Sequence, residues 1–168
     1  MIYAHIGWGN YLKFREGNAA VRVDEQFAYA LALDSSNIYA NAMFGFWCAY
    51  PRKGRSIEEA RRHFDEALAT GKERPYVRGL QLGAFDYIDT PEYGVEIVRI
   101  LDAMCKQKEP LPEQWRRRLL DKIYYNPRPE VMVNVERFLS ATDQLNLFSY
   151  FLRAEDFHRK PWVIQTLN

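Results

Sequence analysis

Apolar side chains recur along this chain at spacings of three and four residues, the periodicity of amphipathic helices. Alternation with period two is never sustained over the length of a strand, so the pattern predicts an all-α protein. Glycine, proline and short polar segments interrupt the pattern and divide it into separate helices. The first six predicted helices span 2–15, 19–33, 37–50, 56–70, 75–88 and 91–106.

Several helix ends carry their own local signals. Ser56-Ile-Glu-Glu59 has the pattern of a capping box, in which the serine hydroxyl accepts from the Glu59 amide and the Glu59 carboxylate accepts from the Ser56 amide. Thr90 before Pro91 is typical of an N-cap followed by the first helical residue, where proline leaves no amide hydrogen unpaired. Gly71 is expected to end the helix over 56–70, because glycine adopts the left-handed conformation of a helix C-terminus.

The six helices form three similar pairs, each the size of a helical repeat unit. Gly9, Gly45 and Gly83 mark the first helix of each pair, at separations of 36 and 38 residues. Ala30 and Ala67 mark the second helix of the first two pairs and lie 37 residues apart. A period of this length predicts a stacked array of helix pairs. The predicted single domain, 1–168, therefore contains repeats over 1–36, 37–73 and 74–108, followed by C-terminal capping helices over 110–168.

The second predicted repeat contains the run Ala60-x-x-x-Phe64-x-x-Ala67-Leu68, which resembles the second helix of a tetratricopeptide repeat. The first predicted repeat has Val23 at the first alanine position, and the third has Glu96 and Ile100 at the alanine and aromatic positions. The resemblance covers about residues 1–106. It implies a right-handed α-solenoid of antiparallel helix pairs, whose first helices line a concave groove that binds peptides or helices of other proteins.

The resemblance also implies which side chains line that groove, and nearly all of them are apolar or aromatic. The implied groove residues are Tyr3, Ile6, Asn10, Phe14, Tyr39, Ala42, Phe46, Tyr50, Val77, Leu80 and Tyr87. An exposed apolar surface of this size is typical of a binding site. The C-terminal helices of the same chain, such as the apolar stretch 145–152, are the alternative occupant, and the sequence leaves both open.

The expected function is therefore noncatalytic: binding of a partner protein or peptide in the apolar groove. The alternative is a self-associating structural scaffold, a homo-oligomer formed through the groove or the first helix. Some family members clamp a C-terminal carboxylate with lysines, asparagines and an arginine, but only Asn10 matches that set. Asn10 is instead expected to make a helix-to-helix or solvent hydrogen bond.

Charge narrows the choice of partner. The 168 residues include 23 basic and 22 acidic side chains, with a net charge of +1. Nonspecific nucleic-acid binders usually carry a clear basic excess, so a nucleic-acid partner is disfavoured. Basic clusters near 52–62 and 116–128 are diluted by neighbouring acidic residues and fit solvated helix faces.

The residues that could carry catalysis or bind a metal are scattered. His5, His63 and His158 are isolated from one another and from cysteine or carboxylate pairs at ligand spacing. His5 falls on an apolar helix face and is expected in the core, whereas His63 is expected to be exposed. The sequence therefore predicts no enzyme, no cofactor and no metal site.

The cysteines and the N-terminus bear on the compartment. Cys48 and Cys105 lie in apolar stretches, where a free thiol behaves as a small buried hydrophobe, and this favours a reducing, cytoplasmic setting. The first residues lack the features of a signal peptide, and no continuous apolar stretch is long enough to span a membrane. Helical periodicity begins almost at Met1 without a capping residue, as expected if the chain is part of a longer one.

Overall fold

The computed structural model describes residues 2–54, 56–85 and 91–110, and every regular element in these ranges is helical. The α-helices are α1 (Ile2–Arg15), α2 (Val23–Leu33), α3 (Ile38–Ala49), α4 (Ile57–Ala69), α5 (Arg74–Ala84) and α6 (Pro91–Lys106). A short 3-10 helix at Pro51–Lys53 joins α3 to α4. The all-α prediction is confirmed over these ranges. Two predicted bounds are wrong: α2 begins four residues later than expected, at Val23, and α5 ends four residues earlier, at Ala84. The predicted capping helices from 111 onward lie outside the described residues.

Backbone contacts divide the chain into two compact units, Met1–Asp86 and Tyr87–Asn168. The first unit contains α1 to α5, and the second contains α6. On α6 the side chains of Tyr93, Ile97 and Ile100 are fully buried. No helix among the described residues is long and apolar enough to cross a membrane.

Local side-chain chemistry sets several helix ends, as the sequence predicts. The Glu59 amide donates to Ser56 Oγ at 3.3 Å, so Ser56 caps α4. The return half of the predicted capping box is not formed, because the Ser56 amide donates to the Cys48 carbonyl oxygen at 3.2 Å. The Ala40 amide donates to the Asn37 side chain at 3.0 Å, which caps α3 in the same way. Gly71 has φ = 70° and follows the last turn of α4, the left-handed conformation expected there. Pro91 is the first residue of α6, while its predicted cap Thr90 lies outside the described residues.

Helix α3 is the centre of the first unit. It packs most extensively on α4 and also contacts α1, α2 and α5. Nine of its 12 residues are buried, which explains why the sequence Ile-Tyr-Ala-Asn-Ala-Met-Phe-Gly-Phe-Trp-Cys-Ala has no polar face. Because α3 has neighbouring helices on several sides, little of its surface is exposed to solvent, where charged side chains would lie.

The α3–α4 contact depends on a glycine. A Cβ atom added at Gly45 would lie 3.1 Å from the Ala60 carbonyl oxygen and 3.1 Å from the Phe64 ring. Ala60, Phe64 and Ala67 are all fully buried. The alanine–phenylalanine–alanine pattern in the sequence is thus the α4 side of a close helix pair.

The α1–α2 contact uses Gly7 rather than Gly9. A Cβ atom at Gly7 would lie 2.9 Å from the Phe27 ring, whereas one at Gly9 would have nothing within 4 Å. Gly7 therefore packs on α2 as Gly45 packs on α4, two residues earlier than the sequence pattern indicated. The separation between Gly7 and Gly45 is 38 residues, equal to that between Gly45 and Gly83.

Candidate functional site

Six aromatic rings from α1 and the end of α3 form a continuous cluster, called here the aromatic cluster. Ring centroids are 5.2 Å apart for Trp8 and Phe46, 5.4 Å for Tyr11 and Phe46, and 5.1 Å for Phe14 and Trp47. Most of these pairs meet edge to face, an arrangement that aromatic rings favour. The members are Trp8, Tyr11, Phe14, Phe46, Trp47 and Tyr50; Trp8, Phe14 and Phe46 are half-buried and the other three are buried.

The groove residues implied by the family resemblance differ in exposure. Tyr3 and Ile6 are exposed; half-buried are Asn10, Phe14, Tyr39, Phe46 and Leu80; buried are Ala42, Tyr50 and Val77. The buried three offer almost no surface to a partner, so the accessible part of the predicted groove is smaller than the pattern indicated. Tyr87 lies outside the described residues.

Asn10 has a structural contact of its own. Its Nδ2 donates to the Arg22 carbonyl oxygen at 3.1 Å, which ties α1 to the residue before α2. This is the helix-to-helix hydrogen bond expected for Asn10.

The sequence pattern missed Trp8, whose ring lies against Phe46. The Phe46 ring also lies 3.2 Å from the Cβ position of Gly83 in α5. Counting from Gly7 instead of Gly9 makes Trp8 the counterpart of Phe46, since each residue directly follows the packing glycine. The equal 38-residue glycine separations are the signal that could have found it.

A second apolar surface lies on α1 and α2 and is called here the apolar edge. Tyr3 and Tyr29 meet edge to face with ring centroids 4.5 Å apart. The large apolar side chains exposed on this surface are Ile2, Tyr3, Ile6, Tyr29 and Leu33. Single exposed apolar side chains are ordinary on a protein surface, but several on two adjacent helices are typical of an interface.

The structure brings together three side chains that the sequence pattern did not group, Cys48, Glu59 and His63, called here the polar cluster. One ligand-capable atom each of Cys48, Glu59 and His63 lies within 4.8 Å of the other two. The prediction that His63 is isolated and exposed is wrong: it is buried on α4, facing α3. The prediction for His5 is also wrong, because its side chain is exposed.

Asn41 sets the orientation of His63. The Asn41 Nδ2 donates to the carbonyl oxygens of Ser35 at 2.8 Å and Asn37 at 3.2 Å, so its Oδ1 must face the imidazole. That oxygen lies 2.9 Å from His63 Nδ1 and can only accept. We therefore assign the proton to Nδ1, which leaves the lone pair on Nε2.

Lys53 supplies the positive charge of the polar cluster. Its Nζ lies 3.7 Å from Cys48 Sγ, 3.8 Å from Glu59 Oε2 and 2.9 Å from Asp24 Oδ1. Partial burial opposes the ammonium form, but the hydrogen bond to Asp24 and the neighbouring negative groups raise the pKa of Lys53 above its usual value. Trp47 Nε1 also donates to Asp24, at 3.0 Å, which holds the carboxylate in place.

Burial keeps both the thiol and the imidazole neutral at pH 7. Burial raises the pKa of the Cys48 thiol to about 12, the Glu59 charge and hydrogen bond act in the same direction, and Lys53 opposes them. Burial and the charge of Arg62 lower the pKa of His63 to about 4. A protonated thiol is a poor nucleophile, so this arrangement does not activate Cys48 for covalent chemistry.

A cavity of about 350 Å³ lies beside His63. Six of its seven lining residues have polar or charged side chains, and the lining comes from α2, α3, α4 and the turn before α3. The lining residues are Leu31, Ser35, Ser36, Asn41, Arg62, His63 and Glu66. One side of the polar cluster is therefore close to solvent.

Comparisons with protein-family models, with curated proteins and with solved structures found no match to this chain. The tetratricopeptide resemblance therefore rests on the residues of the chain itself. Function has to be inferred from the aromatic cluster, the apolar edge and the polar cluster.

Proposed function

We propose that the protein is a noncatalytic interaction module of the tetratricopeptide type, which binds an amphipathic segment of a partner protein on the aromatic cluster. The observation that carries the proposal is the position of Phe46. Its half-buried ring contacts Trp8 and Tyr11 of α1 and approaches Gly83 of α5. Helices α1, α3 and α5 thus meet at one partly exposed aromatic side chain.

The chemistry of the aromatic cluster suits a binding surface. Partly exposed aromatic rings supply large apolar contact area, and tryptophan is enriched among the residues that dominate binding energy. The rings already pack against one another, so a partner would have to immobilise few of them. A surface ordered in advance loses less conformational entropy on binding. An amphipathic helix presents its apolar side chains at spacings that fit such a surface.

Trp8→Ala is expected to weaken partner binding by about tenfold or more, because it removes a large aromatic contact at the centre of the surface. A library of displayed helical peptides selected on the wild-type protein would supply the probes, and titration calorimetry would measure each affinity. His5→Ala is the matched control, since His5 is an exposed residue on the same helix, outside the aromatic cluster and outside the implied groove. Its affinity should stay within about twofold of wild type.

Far-ultraviolet circular dichroism of each variant would show that α1 remains folded. Equal affinities of wild type and a folded Trp8→Ala variant would contradict the proposal. Failure of the selection to yield any peptide richer in apolar and aromatic residues than the starting library would also contradict it.

The apolar edge favours a second candidate, self-association of the chain as a structural scaffold. Exposed Ile2, Tyr29 and Leu33 would be covered in a symmetric contact between two copies. Sedimentation velocity of the wild type should then show a dimer across the micromolar range. Leu33→Glu should shift the population to monomer, because a charge would be buried without a partner. A wild type that stays monomeric would exclude this candidate, and Trp8→Ala should leave the dimer intact.

A further inference from the structure

The polar cluster has the donor set of a transition-metal site. A thiol, a carboxylate and an imidazole come from Cys48 on α3 and from Glu59 and His63 on α4, with their donor atoms within 4.8 Å of one another. Zinc binds these three kinds of ligand in proteins, whereas magnesium and calcium favour oxygen alone. Glu59 and His63 are four residues apart and so lie on one face of α4.

The second observation is the orientation of His63. Asn41 Oδ1 accepts from Nδ1 at 2.9 Å, and two backbone carbonyl oxygens fix the Asn41 amide in that orientation. The imidazole therefore keeps an unprotonated Nε2, the form that a metal requires. Without a metal this nitrogen accepts from Arg62 Nη2 at 3.5 Å, and the exposed Arg62 side chain has to leave Nε2 when an ion binds. A metal-bound histidine usually donates its other ring nitrogen to such a partner, which fixes the ring before the metal arrives.

The third observation is that a cation already lies beside these groups. The Lys53 ammonium is 3.7 Å from Cys48 Sγ and 3.8 Å from Glu59 Oε2. Its ion pair with Asp24 is shorter, at 2.9 Å, and Asp24 is 55% exposed. Lys53 can therefore keep its ion pair with Asp24 when an ion takes its place beside Cys48 and Glu59. The Lys53 side chain is 21% exposed.

We propose that Cys48 Sγ, the Glu59 carboxylate and His63 Nε2 bind a zinc ion, and that Lys53 is the internal cation that the ion replaces. The thiol proton leaves to solvent as Sγ binds the metal, and the lone pair of Nε2 completes the protein ligands. A water molecule takes the fourth position of a tetrahedral zinc ion. The ion enters past Glu59, whose side chain is 35% exposed.

Titration of the full chain with Zn²⁺ against a chromogenic chelator tests the proposal. Wild type should bind one Zn²⁺ per chain, and Co²⁺ should give the near-ultraviolet absorption of a cobalt–thiolate bond. Cys48→Ala and His63→Ala should lose both signals. Cys105→Ser is the matched control, because it removes the chain's other cysteine, and it should keep both signals.

Lys53→Met separates a metal site from a permanent ion pair. Removing the competing ammonium should tighten Zn²⁺ binding by about tenfold or more. If Lys53 is the only cation this cluster accepts, wild type and Lys53→Met will both fail to bind Zn²⁺ stoichiometrically, and the proposal is overturned. Equal loss of binding in Cys48→Ala and Cys105→Ser would overturn it too, because the metal would then be held by thiols in general.

Circular dichroism would show whether each variant folds, and Glu59→Gln replaces Cys48→Ala if that variant does not. Glu59→Gln keeps the shape of the side chain and should weaken Zn²⁺ binding; unchanged affinity would remove Glu59 from the site. The zinc site meets the aromatic cluster at Trp47, which holds Asp24, and Trp8 is not part of it. Trp8→Ala should bind Zn²⁺ as wild type does, so the two proposals fail separately.

Discussion

Phe64→Ala should lower the free energy of unfolding of the first unit by about 3–5 kcal/mol. Phe64 is fully buried, and its ring contacts the Gly45 position on α3 and lies 6.3 Å from the Phe85 ring. Truncation removes the transfer free energy of the ring and leaves a cavity that the α3–α4 pair cannot close. Helix α4 has its most extensive contact with α3, so this cavity lies at the main packing contact of the unit.

Urea denaturation followed by circular dichroism would measure the loss. Small domains unfold with free energies of about 5–15 kcal/mol, so the midpoint should fall by a large fraction of its wild-type value. Asp65→Ala is the matched control, because Asp65 is the next residue on α4 and is exposed. Its effect should stay within about 0.5 kcal/mol. A Phe64→Ala loss no larger than that of the control would contradict the packing described here.

Gly7→Ala and Gly9→Ala should change stability in opposite directions. Alanine at Gly7 places a Cβ atom 2.9 Å from the fully buried Phe27 ring, and overpacking of this kind costs about 1–3 kcal/mol. Alanine at Gly9 meets nothing within 4 Å and should add about 0.5–1 kcal/mol, because alanine favours helix more than glycine does. The two variants should therefore differ by about 1.5–4 kcal/mol.

Each glycine is the control for the other, because both lie in α1 and the substitution is the same. Thermal and urea unfolding of the two variants would measure the difference. If Gly9→Ala were the destabilised one, the assignment from the sequence pattern would hold and the packing of Gly7 on Phe27 would be refuted.

Helices and their ends were predictable because their causes are local. The periodicity of apolar residues, the Ser56 cap and the glycine at 71 act within one or two turns of the backbone. Five of the six helices therefore begin within one or two residues of their predicted positions. Helix α2 is the exception, and its N-cap residue Arg22 makes no side-chain capping hydrogen bond.

The aromatic cluster was predictable only in part. Phe14, Phe46 and Tyr50 were named from the family pattern, but Trp8, Tyr11 and Trp47 were missed. The glycine-to-phenylalanine separation is 19 residues from Gly45 to Phe64, and the two choices in the first pair give 18 from Gly9 and 20 from Gly7. Loop length varies freely, so neither separation is preferred, and only contact with Phe27 decides between the glycines.

The sequence by itself determined the all-α class, most of the helix boundaries and the apolar character of α3, because these depend on neighbours along the chain; the start of α2 and the end of α5 were not among them. The tertiary structure alone decided that Cys48 and His63 come together. Cys48 precedes Glu59 by 11 residues on another helix, and only the antiparallel packing of α3 on α4 brings the thiol to the carboxylate and the imidazole. Burial then sets the protonation states that these groups carry, because desolvation penalises their charged forms.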